Sequence, residues 1–186
     1  MRKILVVVDV QKDFYHPSGA LYVKGGESLP EKIAQIMPMF NKIICTLDWH
    51  PTNHCSFKPN GGLWPNHCIQ GTEGASLPNV FIPFLDENHS SLLMKGKIAE
   101  IEEYGANPNV LIAKMYCGEE YSDEDEIVFC GIAGDYCLKE TINRFITTYP
   151  QHKDKVKVFL DGTASIDDGS TLNQFIEENG LKIWKL

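Results

Sequence analysis

The sequence predicts one α/β domain with three layers, in which helices cover both faces of a mostly parallel, doubly wound sheet. Two observations predict this fold class. Apolar, strand-like segments alternate with amphipathic helical segments along the 186 residues, and no stretch of linker composition divides them. The first segment, residues 3–10, is continuously apolar, as is typical of a strand buried on both faces of a parallel sheet. We therefore expect a single domain over residues 1–186.

The first half of the chain predicts two strands separated by a helix. Residues 3–10 and 42–48 are apolar segments rich in β-branched residues. A loop rich in glycine and proline follows the first strand, and Ser28 with Glu31 has the spacing of a capping box. The predicted helix carries apolar residues at helical spacing, which are Ile33, Ile36, Met37 and Phe40.

The second half continues the alternation of strands and helices. Short runs of β-forming residues predict strands at 91–95, 110–114, 127–130, 155–160 and 181–184. Helical spacing predicts helices at 98–104, 135–149 and 172–178, the last ended by Asn179-Gly180.

The composition excludes several classes of protein. A net charge of -8 argues against a nucleic-acid or anionic-membrane partner, because either requires a basic face. No apolar run approaches membrane-spanning length, and Asp9 interrupts the weakly signal-like start. The six cysteines lack C-x-x-C spacing and are too sparse for a disulfide scaffold. We expect a cytoplasmic protein with reduced thiols.

Residues 49–80 have little periodicity, and a loop this long inside a compact domain is usually functional. Asp48 and His50 stand two positions apart at its start, and His54 and His67 follow. One aspartate with two or three histidines suits zinc, iron or manganese, so we predict a metal-binding loop at about 48–79. Cys55 and Cys68 are alternative soft ligands, whereas three histidines outside the loop are interpreted as structural or surface groups: His16, His89 and His152.

A strand that breaks at glycine and turns into a helix is predicted at residues 127–138. Cys137 then lies in the first helical turn, where the helix dipole and free N–H groups favour a thiolate nucleophile. The alternative is a small buried core residue. Lys95 is either a solvated charge at a strand tip or an ammonium that lowers the thiol pKa. Asp9 is either a turn residue or a buried carboxylate with a partner.

Four chemically active positions fall at the ends of predicted strands. They are Asp9, Asp48, Lys95 and the turn at residues 131–137. Because the carboxyl ends of parallel strands share one edge of a sheet, we expect these positions to meet in one pocket.

These residues belong to blocks of sequence that resemble the nicotinamidase branch of the isochorismatase-like cysteine hydrolases. The matching blocks span the chain in order, and their combined spacing is highly specific. They are Val7-Val8-Asp9-Val10-Gln11-Lys12-Asp13-Phe14, Gly19-Ala20-Leu21, Asp48-Trp49-His50-Pro51, Asn53-His54, Gly61-Gly62-Leu63-Trp64-Pro65-Asn66-His67-Cys68, Gln70-Gly71-Thr72, Lys95-Gly96 and Gly131-Ile132-Ala133-Gly134-Asp135-Tyr136-Cys137.

The resemblance implies the isochorismatase-like hydrolase fold and a catalytic triad of Asp9, Lys95 and Cys137. Cys137 would attack the carboxamide carbon to give a thioester, with Asp9 exchanging protons and Lys95 holding both groups in place. The backbone N–H groups of Ala133 and Cys137 would form the oxyanion hole, and a cis peptide is expected between Ile132 and Ala133.

The resemblance also implies how a substrate ring is held. Asp48, His50 and His67 match the family's metal ligands, and His54 stands where some members use a fourth. The metal, zinc first and iron or manganese next, would bind the pyridine nitrogen of the substrate. The residues expected to contact the ring are Phe14, Trp64 and Ala133.

Two departures from the family pattern stand out. Gly134 replaces a common threonine, which should loosen the turn slightly. The segment between Lys95 and Ile127 is short, and the usual aromatic and serine motif is missing unless Tyr104-Gly105-Ala106 replaces it. The family pattern therefore does not identify which of residues 98–126 form this wall of the pocket.

The leading hypothesis is a nicotinamidase that converts nicotinamide and water to nicotinate and ammonia in NAD salvage. A hydrolase of another small amide or carbamoyl compound, from the same family, is the first alternative. The second is a binding module that holds a small ring compound without converting it. All three bind a small molecule, and the sequence leaves a homo-oligomer open.

Overall fold

Six parallel strands form the sheet, in the order β3-β2-β1-β4-β5-β6. The structure is a computed structural model and describes residues 1–186. The strands are β1 Lys3–Val8, β2 Lys42–Asp48, β3 Ser90–Lys95, β4 Glu126–Ile132, β5 Val156–Ala164 and β6 Lys182–Ile183. The helices are α1 Lys12–Tyr15, α2 Leu29–Ile36, α3 Pro108–Tyr116, α4 Lys139–Thr148 and α5 Ser170–Asn179.

Alternation along the central strand creates two cores, one on each face of the sheet. Leu5 and Val7 of β1 pack in the cluster that includes α2, whereas Ile4, Val6 and Val8 pack in the cluster that includes α3, α4 and α5. All five residues are fully buried, as the continuous apolar run predicts. The three-layer α/β/α prediction is confirmed, and the sheet is parallel throughout.

The strand order reverses between β1 and β4, since β1 lies between β2 and β4. In open α/β sheets, the crevice outside the carboxyl ends of strands at such a reversal is where ligands bind. Asp9, Asp48, Lys95 and Cys137 all lie at this edge, at or just beyond the ends of β1, β2, β3 and β4. None of the helices combines the length and apolar character needed to cross a membrane.

The strand predicted at residues 110–114 is wrong, because these residues lie in α3. The Asn107 side chain caps this helix by accepting hydrogen bonds from the N–H groups of Asn109, at 3.0 Å, and Val110, at 3.3 Å. Pro108 occupies the first helical turn, where its missing N–H costs nothing. The capping signal outweighs the strand preference of Val110-Leu111-Ile112.

The helix predicted at residues 98–104 is also wrong. This segment is irregular; apart from one turn in which the Ile101 N–H donates to the Ile98 carbonyl, its polar groups bond to the loops around the sheet edge. The Cys55 N–H donates to the Ala99 carbonyl at 2.7 Å, and the Glu103 carboxylate accepts from the Gly96 N–H at 2.8 Å. These contacts hold the segment over the carboxyl edge.

Two predicted helix starts differ from the structure. Ser28 makes no capping bond to α2; it lies in a 3₁₀ turn, and its hydroxyl donates to the Gly25 carbonyl at 3.1 Å. The turn after β4 is a single π-helical turn over Gly134–Leu138, and α4 begins only at Lys139. Cys137 therefore lies in a widened turn that precedes the regular helix.

His152 lies buried beneath aromatic rings at the other end of the sheet, whereas His16 and His89 are exposed. Its ring centroid is 4.5 Å from that of Tyr121 and 5.9 Å from that of Tyr116. Neither ring nitrogen has a hydrogen-bond partner. Burial, with a contribution from Lys155, lowers the pKa of His152.

We expect His152 to make the fold less stable in mild acid. The unfolded chain takes up a proton as the pH falls below about 6.5, while the buried imidazole resists protonation, so stability falls with pH. Urea unfolding at pH 7 and pH 5 should show that the free energy of unfolding decreases less on acidification for His152→Phe than for the wild type. The exposed-site control His89→Gln should retain the wild-type dependence, and parallel curves for wild type and His152→Phe would contradict the expectation.

Candidate active site

Three buried side chains meet at the switch point of the sheet. The Lys95 ammonium lies 2.8 Å from the Asp9 carboxylate and 3.7 Å from the Cys137 sulfur. Their exposed fractions are 1% for Lys95, 0% for Asp9 and 7% for Cys137. The structure thus brings together the three residues predicted as a triad, in contact with one another and away from bulk water.

Asp9 is placed by a local turn of the backbone at the end of β1. Its φ of 49° is in the left-handed region, which is uncommon for a residue with a side chain. One carboxylate oxygen accepts a hydrogen bond from the Thr46 hydroxyl at 2.6 Å, while the other faces Lys95. Sequence reasoning missed Thr46, a buried hydroxyl two positions before Asp48 in an otherwise apolar strand.

The electrostatics of the cluster favour a neutral thiol beside an ion pair. Burial raises the pKa of Cys137 well above its usual value; Lys95 opposes this rise, and the carboxylates of Asp9 and Asp48 add to it. The lowered thiol pKa expected from the helix start is therefore wrong. Burial acts to lower the pKa of Lys95, but Asp48 and Asp9 outweigh it and raise that pKa. The thiol thus needs a base in order to react.

Asp9 has the character of that base. Burial raises the pKa of Asp9 above its ordinary value, although the neighbouring Lys95 ammonium acts in the opposite direction. A carboxylate with a raised pKa, in contact with a thiol, can accept the proton of that thiol. The Cys137 sulfur and a carboxylate oxygen of Asp9 lie within 4.8 Å of each other.

A second group of donors lies beside the first and shares Asp48 with it. One Asp48 oxygen lies 2.5 Å from the Lys95 ammonium, and the other faces the Nε2 atoms of His50, at 3.4 Å, and His67, at 3.9 Å. Burial acts to raise the pKa of Asp48, but Lys95 and then His50 outweigh it and hold that pKa well below its usual range. Asp48 is therefore an anion that faces Lys95 on one side and the two histidines on the other.

The donors of this group suit a divalent metal ion. Their ligand atoms lie within 4.8 Å of one another. The Nδ1 atom of His50 is 2.9 Å from the Gly96 carbonyl, and that of His67 is 2.8 Å from the Pro65 carbonyl. Because a carbonyl only accepts, each Nδ1 carries a proton, which leaves Nε2 of each neutral imidazole as the nitrogen that can bind a metal. One carboxylate and two imidazoles then remain as donors for a borderline cation.

Gly96 is part of this arrangement. Its φ is +61°, and a Cβ there would lie 2.4 Å from the His50 ring. The close approach of the backbone lets the Gly96 carbonyl accept from the imidazole, so a side chain at residue 96 would displace His50.

His54 is placed differently from the other predicted ligands. Its ring stacks on His50 with centroids 4.1 Å apart, yet both of its nitrogens have other partners. Nε2 is 3.0 Å from the Ile101 carbonyl, and Nδ1 is 2.8 Å from the Ser56 hydroxyl. Its role as a fourth ligand stays a prediction.

A cavity is lined by residues of both groups. The predicted ring-contacting residues Phe14, Trp64 and Ala133 line it, together with Cys137 and His67. The centroids of the Phe14 and His67 rings are 5.4 Å apart. A cavity with mostly apolar walls and a few polar groups is typical of a site for a small molecule.

Three aromatic side chains lie together at the edge of the cavity. The Trp64 indole N–H donates to the Tyr104 hydroxyl at 3.0 Å, and the Tyr136 ring lies 5.2 Å from Trp64 and 5.7 Å from Tyr104. Tyr104 therefore forms part of the pocket wall. It belongs to the short segment for which the sequence did not identify the wall residues. Tyr136 was not predicted, although it stands directly before the candidate nucleophile.

The turn after β4 contains the expected cis peptide between Ile132 and Ala133, which is confirmed. Gly134 is packed closely, because a Cβ at this position would lie 2.3 Å from the Ser165 hydroxyl. The space that a threonine side chain would require is thus occupied by Ser165. The loosening expected from Gly134 is countered by this packing.

Comparison with known proteins agrees with the site. The chain is 31% identical to the nicotinamidase of Saccharomyces cerevisiae over 95% of its own length and 94% of that protein. The pyrazinamidase of Pyrococcus horikoshii, solved in complex with zinc, superimposes with a TM-score of 0.77 at 29% identity and full coverage of both chains. PnC1 from L. infantum, solved with nicotinate, gives a TM-score of 0.79 at 29% identity, covering 99% of this chain and 92% of that one. No family model matches the sequence.

The fold and these neighbours define an isochorismatase-like hydrolase, in which a parallel sheet carries the reactive residues at its carboxyl edge. Enzymes of the branch identified here cleave the C–N bond of a linear carboxamide. Within that class, the chain belongs to the nicotinamidase family.

Proposed function

We propose that this protein hydrolyses nicotinamide to nicotinate and ammonia, with Cys137 as the nucleophile. One observation carries the proposal: Cys137, Asp9 and Lys95 line one part of a site whose other part is the donor group of His50 and His67. Membership of the nicotinamidase family and the likeness to a protein solved with nicotinate support the same substrate.

The first half of the reaction forms a thioester. Asp9 takes the thiol proton as the Cys137 sulfur attacks the carboxamide carbon, which gives a tetrahedral intermediate. The proton then passes from Asp9 to the amide nitrogen, the C–N bond breaks, and ammonia leaves. Lys95 keeps its positive charge throughout and offsets the negative charge that moves between sulfur and carboxylate.

The second half returns the enzyme to its starting state. Asp9 removes a proton from a water molecule as the oxygen of that water attacks the thioester carbon. The C–S bond breaks, the Cys137 sulfur recovers a proton from Asp9, and the acid product loses its own proton to solvent and leaves as nicotinate. We propose that the backbone N–H groups of Ala133 and Cys137 stabilise the oxyanion in both halves.

The ring of the substrate would lie between Phe14 and Trp64, which line the cavity together with Cys137. We propose that Asp48, His50 and His67 hold a divalent metal ion, with zinc as the first candidate because of the zinc-bound neighbour. When bound, the metal supplies a Lewis acid for the pyridine nitrogen and so orients the carboxamide toward Cys137.

Protein purified without chelator should contain about one divalent metal ion per chain, since two imidazoles and a carboxylate make a three-donor site. His67→Ala should lower this stoichiometry, because it removes one donor, while the exposed-site control His89→Ala should retain it. Elemental analysis by mass spectrometry measures both. Metal well below one equivalent in the wild type, even after incubation with zinc, iron or manganese, would contradict the metal site.

A coupled ammonia assay tests the function directly. We expect the highest kcat/KM for nicotinamide, turnover of pyrazinamide, and a much lower kcat/KM for benzamide, which has no ring nitrogen. Ammonia from a carbamoyl compound but not from nicotinamide would favour the first alternative. A rise in Tm with nicotinamide but no ammonia from any of these compounds would favour a binding module.

The proposed reaction would place the protein in NAD salvage. All six cysteines are free thiols, which supports a reducing, cytoplasmic compartment.

A further inference from the structure

The side chain of Gln11 is fully buried and holds the backbone of Asp48 from both sides. Its oxygen accepts a hydrogen bond from the Asp48 N–H at 2.7 Å, and its nitrogen donates to the Asp48 carbonyl at 2.8 Å. The same nitrogen donates to the Ala75 carbonyl at 3.0 Å. With 0% of Gln11 exposed, no solvent competes for these bonds.

This contact continues the strand pairing by means of a side chain. The β1–β2 register ends at Val8 and Thr46, and the Asp9 N–H makes the next bond, to the Thr46 carbonyl at 3.1 Å. The left-handed conformation of Asp9 then turns the chain away from β2. The Gln11 carboxamide has one donor and one acceptor in the arrangement of a peptide group, so it occupies the place that the main chain has left.

The position of Asp48 matters because its carboxylate serves two groups at once. One oxygen faces Lys95 and the other faces His50 and His67. A small displacement of the Asp48 backbone would move the carboxylate relative to both groups. Gln11 also fixes residue 75, in the 3₁₀ turn that follows the loop carrying His67.

Resting on the proposed function, we propose that Gln11 is a positioning residue. It sets the carboxylate of Asp48 for a divalent metal on one side and for Lys95 on the other. Partners that orient metal ligands typically change metal affinity about 10–100-fold when they are removed. Gln11 acts through the main chain of the ligand residue instead of through its carboxylate.

The test measures metal binding without any substrate. Zn²⁺ affinity is determined by competition with a chromophoric chelator, and the visible spectrum of the Co²⁺ protein reports the geometry of the donors. Gln11→Met keeps the length of the side chain but removes all three hydrogen bonds, and we expect it to weaken Zn²⁺ binding about tenfold or more and to change the Co²⁺ spectrum. Gln11→Glu retains an acceptor for the Asp48 N–H and should recover part of the affinity.

Ile33→Ala is the control for a general loss of stability. Ile33 is fully buried in α2, outside the site, so this variant should lower Tm and leave Zn²⁺ affinity and the Co²⁺ spectrum unchanged. Wild-type Zn²⁺ affinity and an unchanged Co²⁺ spectrum in a folded Gln11→Met protein would overturn the proposal. Failure of both Gln11 variants to fold would overturn it as well, since Gln11 would then act on the fold as a whole. Absence of ammonia release by the wild type would refute the proposed function without affecting these binding results.

Discussion

Cys137→Ala should lower kcat for ammonia release from nicotinamide by at least about a thousandfold. The substitution removes the only sulfur in contact with Lys95, and loss of a covalent nucleophile costs about 10⁶-fold in well-studied hydrolases. Nicotinamide binding should survive, because Phe14, Trp64 and the donor group around Asp48 stay in place. Ammonia release and isothermal titration with nicotinamide measure the two effects separately.

The control for Cys137 is another cysteine of this chain. Cys117 is exposed at the end of α3, so Cys117→Ala should retain the wild-type kcat. Mass spectrometry of the protein quenched during turnover should find an added nicotinoyl group on the wild type but not on Cys137→Ala. Wild-type ammonia release by Cys137→Ala would refute the thioester mechanism.

Lys95→Met should destabilise the fold by about 3–5 kcal/mol and abolish turnover. Lys95 is 1% exposed, and its removal leaves the carboxylates of Asp9 and Asp48 buried without their ammonium partner. The free energy of unfolding, from urea titrations in the presence of chelator, measures the loss. Lys97→Met, at an exposed position two residues beyond the end of β3, should stay within about 0.5 kcal/mol of the wild type.

The destabilisation of Lys95→Met should depend on pH with a defined sign. In the wild type, the pKa of Asp48 is held low, so its contribution is lost only below about pH 4 and stays nearly constant between pH 7 and pH 5. In the variant, burial without Lys95 raises the pKa values of both carboxyl groups, which then take up protons more readily when folded than when unfolded. The difference in the free energy of unfolding between the wild type and Lys95→Met should therefore decrease from pH 7 to pH 5. A constant gap, or a total loss below about 1 kcal/mol, would contradict this account of Lys95.

The sequence predicts the parts of the fold that depend on local pattern. The apolar runs that became β1 and β2 are identified nearly to the residue, and the carboxylates at their ends follow from the rule that such ends share an edge. The failures have a physical reason. At residues 110–114 a strand-like run is helical because Asn107 and Pro108 start a helix, and at residues 98–104 bonds to neighbouring loops replace those of a helix.

The candidate site could be predicted where a reactive side chain stands beside a strand end. Thr46 and Gln11 could not, because their roles arise only when β1 and β2 are set in register and the chain turns at Asp9. The pKa of Cys137 could not be predicted either, since it depends on how much water the surrounding elements exclude. Such properties belong to the assembled edge of the sheet and to no single segment.

The shared carboxylate of Asp48 constrains how this enzyme can be redesigned. The Asp48 carboxylate contacts both the Lys95 ammonium and the two imidazoles. The catalytic group and the metal-binding group therefore cannot be altered independently of each other. A metal-free variant made by deleting Asp48 would also lose a partner of Lys95. Replacement of His50 and His67 instead leaves both carboxylate partners of Lys95 in place, which makes the histidines the natural entry point for engineering a new substrate range.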